Sequence, residues 1–136
     1  MENIQRRSPV IFDSKPAEKT VQDDWLVVLE YEEQGQGPWV VDLSHRPRWD
    51  LQDHEISTRQ PFGMTIPETP GQSVFDNGIL VNRMNRTQAS VWHLSGEKLD
   101  VPDDPAFTDV TDGSMFLALL GKDVFSIAEK LASLDF

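Results

Sequence analysis

Asp42, Ser44 and His45 fall within one tetrapeptide, Asp42-Leu43-Ser44-His45, and are the residue types of a hydrolytic triad: acid, nucleophile and base. Their spacing opposes that chemistry. Neighbouring residues of an extended strand point to opposite faces, which sets Ser44 and His45 apart rather than in a catalytic hydrogen bond. The same residues suit a corner, where Asp42 and Ser44 bond nearby backbone groups as in Asx- and ST-type turns. The three histidines, His45, His54 and His93, match no compact metal-ligand spacing. His93 in a strand reads as a packed or surface residue, and His54, beside Asp53 and Glu55, as a solvated one. The chain has no cysteine, which excludes disulfides, thiolate metal sites and thiol nucleophiles. It also lacks the glycine-rich dinucleotide and P-loop fingerprints and the G-x-S-x-G elbow. What remains is a polar cluster, Asn82, Arg83, Asn85, Arg86, Thr87 and Gln88. On a chain of formal charge −11, its two arginines mark an anion or partner contact, against the ordinary reading of a solvated turn.

The elements that would hold these residues follow from periodicity. Asp42-Leu43-Ser44-His45 runs into Arg48-Trp49-Asp50-Leu51, and Asp109-Val110-Thr111-Asp112-Gly113 runs into Met115-Phe116-Leu117-Ala118-Leu119. Each is an acid, an aliphatic, a hydroxyl residue and a turn-prone polar pair before a short apolar strand, so a similar chain path is built twice. Further strands are expected at residues 25–31, 39–43, 79–84 and 87–94, with Asp76-Asn77-Gly78 as a tight reversal. The alternation in 87–94 leaves open which face is core. Residues 53–61 offer a one- or two-turn helix with Asp53 as N-cap, 62–73 reads as extended connection, and Leu99 and Val101 as a short edge strand. The helix at 122–134 has the strongest pattern, with Val124, Ile127, Ala128, Leu131 and Leu134 on one face and Asp123 in the first turn.

Composition bounds the rest. A chain of 136 residues is one domain by length, and 38% hydrophobic residues with four tryptophans and seven phenylalanines supply a core. Residues 1–24 read as a flexible arm, bland except for Val10-Ile11-Phe12, or as a strand offered to a partner; residues 25–136 read as a single α+β domain. The charge of −11 opposes nucleic acid and anionic membranes. With no apolar run long enough for a signal peptide or a membrane span, a cytoplasmic location is expected.

Asp42-Leu43-Ser44-His45 resembles the D-[LV]-S-H signature of the aminomethyltransferase (glycine-cleavage T protein) folate-binding superfamily. Asp109-Val110-Thr111-Asp112 with Leu117-Ala118-Leu119-Leu120-Gly121 resembles its later segment, and the layout is nearest the sarcosine oxidase γ subunit family. The γ-like features are the short stretch between signature and hairpin, Ile66-Pro67-Glu68-Thr69-Pro70, and Trp92 late in the hairpin. The resemblance covers roughly residues 40–134. It implies a ferredoxin-like α+β unit, with a mixed or antiparallel sheet and a C-terminal helix on one face, and a structural role beside a flavin-containing subunit. Folate-using members carry paired acids after a hairpin glycine. Here Asn77-Gly78-Ile79-Leu80-Val81-Asn82 stands instead, which puts transferase chemistry in doubt. The chain also ends at Phe136, where family members continue, so a partner or self-association is expected to cover the surface that is left.

The expected function is therefore a non-catalytic, sarcosine-oxidase-γ-like subunit of a flavin- and folate-linked amine-oxidising or demethylating complex. No bound cofactor is expected. The alternatives are a stand-alone folate-binding, one-carbon-transfer protein, with Arg83 and Arg86 toward the glutamate tail of tetrahydrofolate, and a homo-oligomeric scaffold. In the first reading Asp42, Ser44, His45, Asp109, Thr111 and Asp112 are structural signature residues.

Overall fold

The structure, a computed structural model, describes residues 5–97 and 99–132. The chain is α+β: most of its regular structure is strand, in three sheets, with one α-helix near the C-terminal end of the described residues. It forms two compact units where one domain was expected. Residues 1–45 and 115–136 make unit 1, and residues 46–114 make unit 2.

Unit 1 begins with β1 (Arg6–Arg7), β2 (Pro16–Gln22) and β3 (Trp25–Tyr31), a sheet ordered β1-β3-β2. The residues expected to be a loose arm thus include two strands. β2 and β3 form an antiparallel hairpin whose last register pair, Gln22 with Trp25, leaves Asp23 and Asp24 as a two-residue turn, at φ 49° and 63°. Two successive left-handed residues give the I′ geometry that matches strand twist. Asp-Asp is a poor version of the usual Asn-Gly signal, so the hairpin is hard to see in the sequence. β1 runs parallel to β3, and the Arg6 guanidinium stacks 4.4 Å from the Trp25 ring centre.

β4 (Trp39–Asp42) also belongs to unit 1 and pairs antiparallel with β10 (Leu117–Leu120), in the register Asp42 to Leu117 and Trp39 to Leu120. Between them in the chain lie β5 (Arg48–Gln52), β6 (Ser73–Asp76), β7 (Ile79–Arg83), β8 (Gln88–His93) and β9 (Phe107–Asp109), which form the unit 2 sheet in the order β6-β7-β8-β5-β9, antiparallel throughout. Asn77 and Gly78 close the β6–β7 hairpin at φ 48° and 76°. A side chain at Gly78 would run into Ser95, so glycine is required there on two counts.

The core belongs to unit 2. Trp49 and Leu51 of β5, Ile79 and Val81 of β7, and Ala89 and Val91 of β8 lie on one face of the sheet and are buried with Ile56, Met64 and Ile66. The open question in β8 is thereby answered: Ala89, Val91 and His93 face inward. Residues 53–72 cover this face with two 3₁₀ turns, Ile56–Thr58 and Pro61–Gly63, where a short helix was expected. Pro61 closes off any longer helix, and Phe62 is held at φ 51° beside Trp49, ring centres 5.2 Å apart. The edge strands of this sheet are β6 and β9, while Leu99 and Val101 lie in no strand.

The helix α1 (Val124–Leu131) is shorter than its pattern. Val124, Ile127 and Ala128 are half-buried, Leu131 is 78% exposed, and Leu134 lies outside the described residues. An eight-residue helix following a two-stranded sheet has little apolar surface to lie on. Asp123 sits at the N-cap with φ 61° and makes no side-chain capping bond, rather than occupying the first turn.

Candidate functional site

The doubled phrase makes the same set of bonds twice. In unit 1 the Ser44 N–H donates to Asp42 Oδ1 at 3.0 Å, the Leu43 N–H donates to the Phe116 carbonyl at 2.8 Å, and the Phe116 N–H donates to Ser44 Oγ at 3.0 Å. In unit 2 the Thr111 N–H donates to Asp109 Oδ1 at 2.9 Å, the Val110 N–H to the Arg48 carbonyl at 2.9 Å, and the Arg48 N–H to Thr111 Oγ1 at 3.0 Å. Asp42, Leu43 and Ser44 correspond to Asp109, Val110 and Thr111, and Phe116 corresponds to Arg48. The strand registers agree: Asp42 faces Leu117, and Asp109 faces Trp49. Each phrase starts in one unit and ends in the other, so the copies exchange halves. β4 of the first pairs with β10 of the second, and β9 of the second with β5 of the first.

These bonds decide the chemistry of the signature residues. Ser44 is 1% exposed and its oxygen accepts a backbone N–H, while the Asp42 carboxylate closes an Asx turn. That is a corner, as the spacing predicts, and not a nucleophile with its base. Thr111 is buried likewise; Asp112 lies exposed in the 3₁₀ turn Thr111–Gly113.

Three further polar groups are buried in unit 2, each with partners in the fold. The Arg48 guanidinium donates through Nη2 to the carbonyls of Thr111 at 2.6 Å and Ser114 at 2.7 Å. Arg83, 5% exposed, donates to the carbonyls of Asn85 at 2.6 Å and Arg86 at 2.8 Å, and to Ser57 Oγ at 3.2 Å. It ties down the hairpin end, and the anion contact expected of it has no free guanidinium to use; Arg86 is exposed beside it and lends its carbonyl. His93, 2% exposed, has Nε2 at 2.8 Å from Ser95 Oγ. Outside the sheet, Arg59 bridges Asp53 at 2.6 Å and Asp104 at 2.5 Å. The Glu55 N–H, then Arg59, holds the Asp53 carboxyl below its ordinary range. Among the described residues no group of three histidines or acids is placed to hold a metal ion, and no helix is long and apolar enough to cross a membrane.

The open space is in unit 1. A groove of about 690 Å³ lies among β3, β4 and the segment after β1, lined by Trp25, Tyr31 and Trp39 with Arg7, Asp42 and His45. Partial burial, then the nearby Asp42 charge, pushes the Tyr31 phenol above its usual range. Of the signature residues, the groove brings together Asp42 and His45; Ser44, Asp109, Thr111, Asp112, Arg83 and Arg86 do not line it. Trp25 and Tyr31 fall in the strand expected at 25–31 without any sign that they line a groove, and Arg7 gives no signal because the wall formed by residues 7–12 shows little periodicity.

Among the described residues, most of the exposed large hydrophobic side chains belong to unit 1. Met115, Leu117, Leu120, Phe125 and Leu131 are 40% to 78% exposed, and Trp39 and Val40 41% and 45%. Trp25 is the buried hydrophobic residue of this unit among the described residues. Comparison with protein-family models, curated proteins and solved structures gives no match at any of the three.

Proposed function

We propose that this chain is a non-catalytic, sarcosine-oxidase-γ-like subunit that supports assembly of a flavin- and folate-linked amine-oxidising or demethylating complex. The observation that carries the reading is the contrast between the units. Unit 2 buries a contiguous apolar core and gives its buried arginines and hydroxyls internal partners. Unit 1 keeps a groove and a two-stranded sheet whose apolar side chains stand in water. Exposed apolar surface of that kind marks a protein interface, and two strands are too few to be stable by themselves.

The two signatures support the superfamily assignment, because both are spent on a repeated structural corner, the role a non-catalytic member needs. In the same reading the fold is a reduced form of the superfamily's ferredoxin-like unit, with the connection 53–72 in place of a crossing helix in the first half and α1 after the second. Stand-alone folate binding is disfavoured by Arg83, whose guanidinium is committed to carbonyls. Affinity purification from native extract with mass spectrometry tests the proposal: a flavoprotein or folate-dependent enzyme should co-purify in fixed stoichiometry, and its absence from a sample that retains other partners counts against the reading.

A further inference from the structure

We infer that the groove of unit 1 receives an extended segment of a partner polypeptide, which adds as a strand to the free edge of β4. The phase of the β4–β10 ladder identifies that edge. Leu43 donates to the Phe116 carbonyl, and in an antiparallel pair the bonded residues alternate, so Val41 and Trp39 also direct their N–H and C=O groups to β10. Val40 and Asp42 direct theirs the other way. The sheet has no third strand among the described residues, and Val40 and Asp42 are both among the residues that line the groove. Consecutive residues of β3 and of β4 line the groove. A cavity on one face of a sheet meets alternate residues, whereas one that meets successive residues runs along the strand, as an added strand would. Trp39 to Asp42 spans roughly 13 Å, enough for an added strand of four to six residues.

Charge selects the occupant. Glu33 and Asp42 line the groove against Arg7, Glu30 and Glu32 are exposed in and just beyond β3, and the whole chain carries −11. A second copy would bring another −11 to the same place. A segment with alternating apolar side chains and basic flanks is favoured, with backbone bonds supplying affinity and Trp39 and Val40 the side-chain contacts. This inference rests on the reading of the chain as a subunit.

The test uses the full chain and the end-blocked peptide Lys-Val-Thr-Val-Thr-Val-Lys. Amide exchange at Val40 and Asp42 should slow at least about tenfold on saturation, with a Kd below about 1 mM. A peptide N-methylated at alternate residues, or with Glu in place of Lys, should bind at least about tenfold more weakly. Val40→Pro removes an N–H that β10 does not use, so the variant should lose the same factor while the Val41 and Ala118 amides, which face each other in the ladder, stay protected. Should that variant not fold, the N-methylated peptide on the unaltered chain still decides. Absence of binding at about 1 mM overturns the inference. So does protection of Val40 and Asp42 in the free monomer, which means the chain fills its own edge, or only in a concentration-dependent dimer. If Val40→Pro still recovers the native partner, the groove is refuted and the subunit reading stands; if neither protein recovers one, the subunit reading fails.

Discussion

Replacing Thr111 by Val removes one oxygen and keeps the shape of the side chain. Thr111 is 5% exposed, and its Oγ1 is the acceptor for the Arg48 N–H at 3.0 Å. With valine in place that N–H stays buried at the start of β5 with its acceptor gone, a loss of about 1–3 kcal/mol. The β-branched form is retained, so neither backbone preference nor packing volume offsets the loss. Thr111→Ser keeps the acceptor and gives up one methyl group, about 0.8 kcal/mol or less. The order of stability is therefore wild type, Thr111→Ser, Thr111→Val. Urea unfolding measures it, and because two units need not unfold together, amide exchange at Arg48 and Val110 gives the local reading. The valine variant should speed exchange at both amides and leave Leu43 and Phe116, in the other copy of the corner, much less affected. A valine variant as stable as the serine variant, with the Arg48 amide still protected, would refute the claim that the hydroxyl holds the corner.

Asp24→Gly places glycine at a turn position with φ 63° and should stabilise the β2–β3 hairpin by about 0.5 kcal/mol, read as a higher urea midpoint; a fall would mean the turn is not left-handed there. Asp53 has its carboxyl pKa lowered in the folded chain, so its contribution is complete above the unfolded value near ~3.9 and is lost as pH falls through the folded value. Asp53→Asn should remove that part of the acid dependence, and parallel pH profiles for wild type and variant would rule the linkage out. Leu131→Asp, at a site 78% exposed, should change stability by less than about 0.5 kcal/mol in the isolated chain, whereas half-buried Ile127→Asp should cost more; equal losses, seen in thermal unfolding, would place Leu131 in a core.

Much of unit 2 can be read from residue order. Alternation finds β5, β7 and β8, and Asn77-Gly78 marks a reversal that the backbone angles match. The upstream strand of that hairpin, β6, is hidden because Phe75 is 61% exposed and only Val74 packs inward, so no two-residue period develops. Residues 62–73 look like plain connection, yet Met64 and Ile66 cap the core. Their burial depends on which sheet face they cross, and local sequence holds no record of that. Arg83 stands out by type, but exposure separates an anion contact from a buried clamp, and exposure follows from tertiary packing.

The repeated phrase is the part the amino-acid order determined alone. An acid two residues before a hydroxyl side chain closes an Asx turn through local geometry, so both copies turn the chain in the same way wherever they lie. Which strand each copy would pair with was left to the tertiary structure. The acceptors of Leu43 and Val110 are 73 and 62 residues away in the chain, at Phe116 and Arg48, and no local preference can encode a partner at that separation. Long-range pairing settled the exchange of halves between the copies, and with it the division into a packed unit and one that still has an open strand edge.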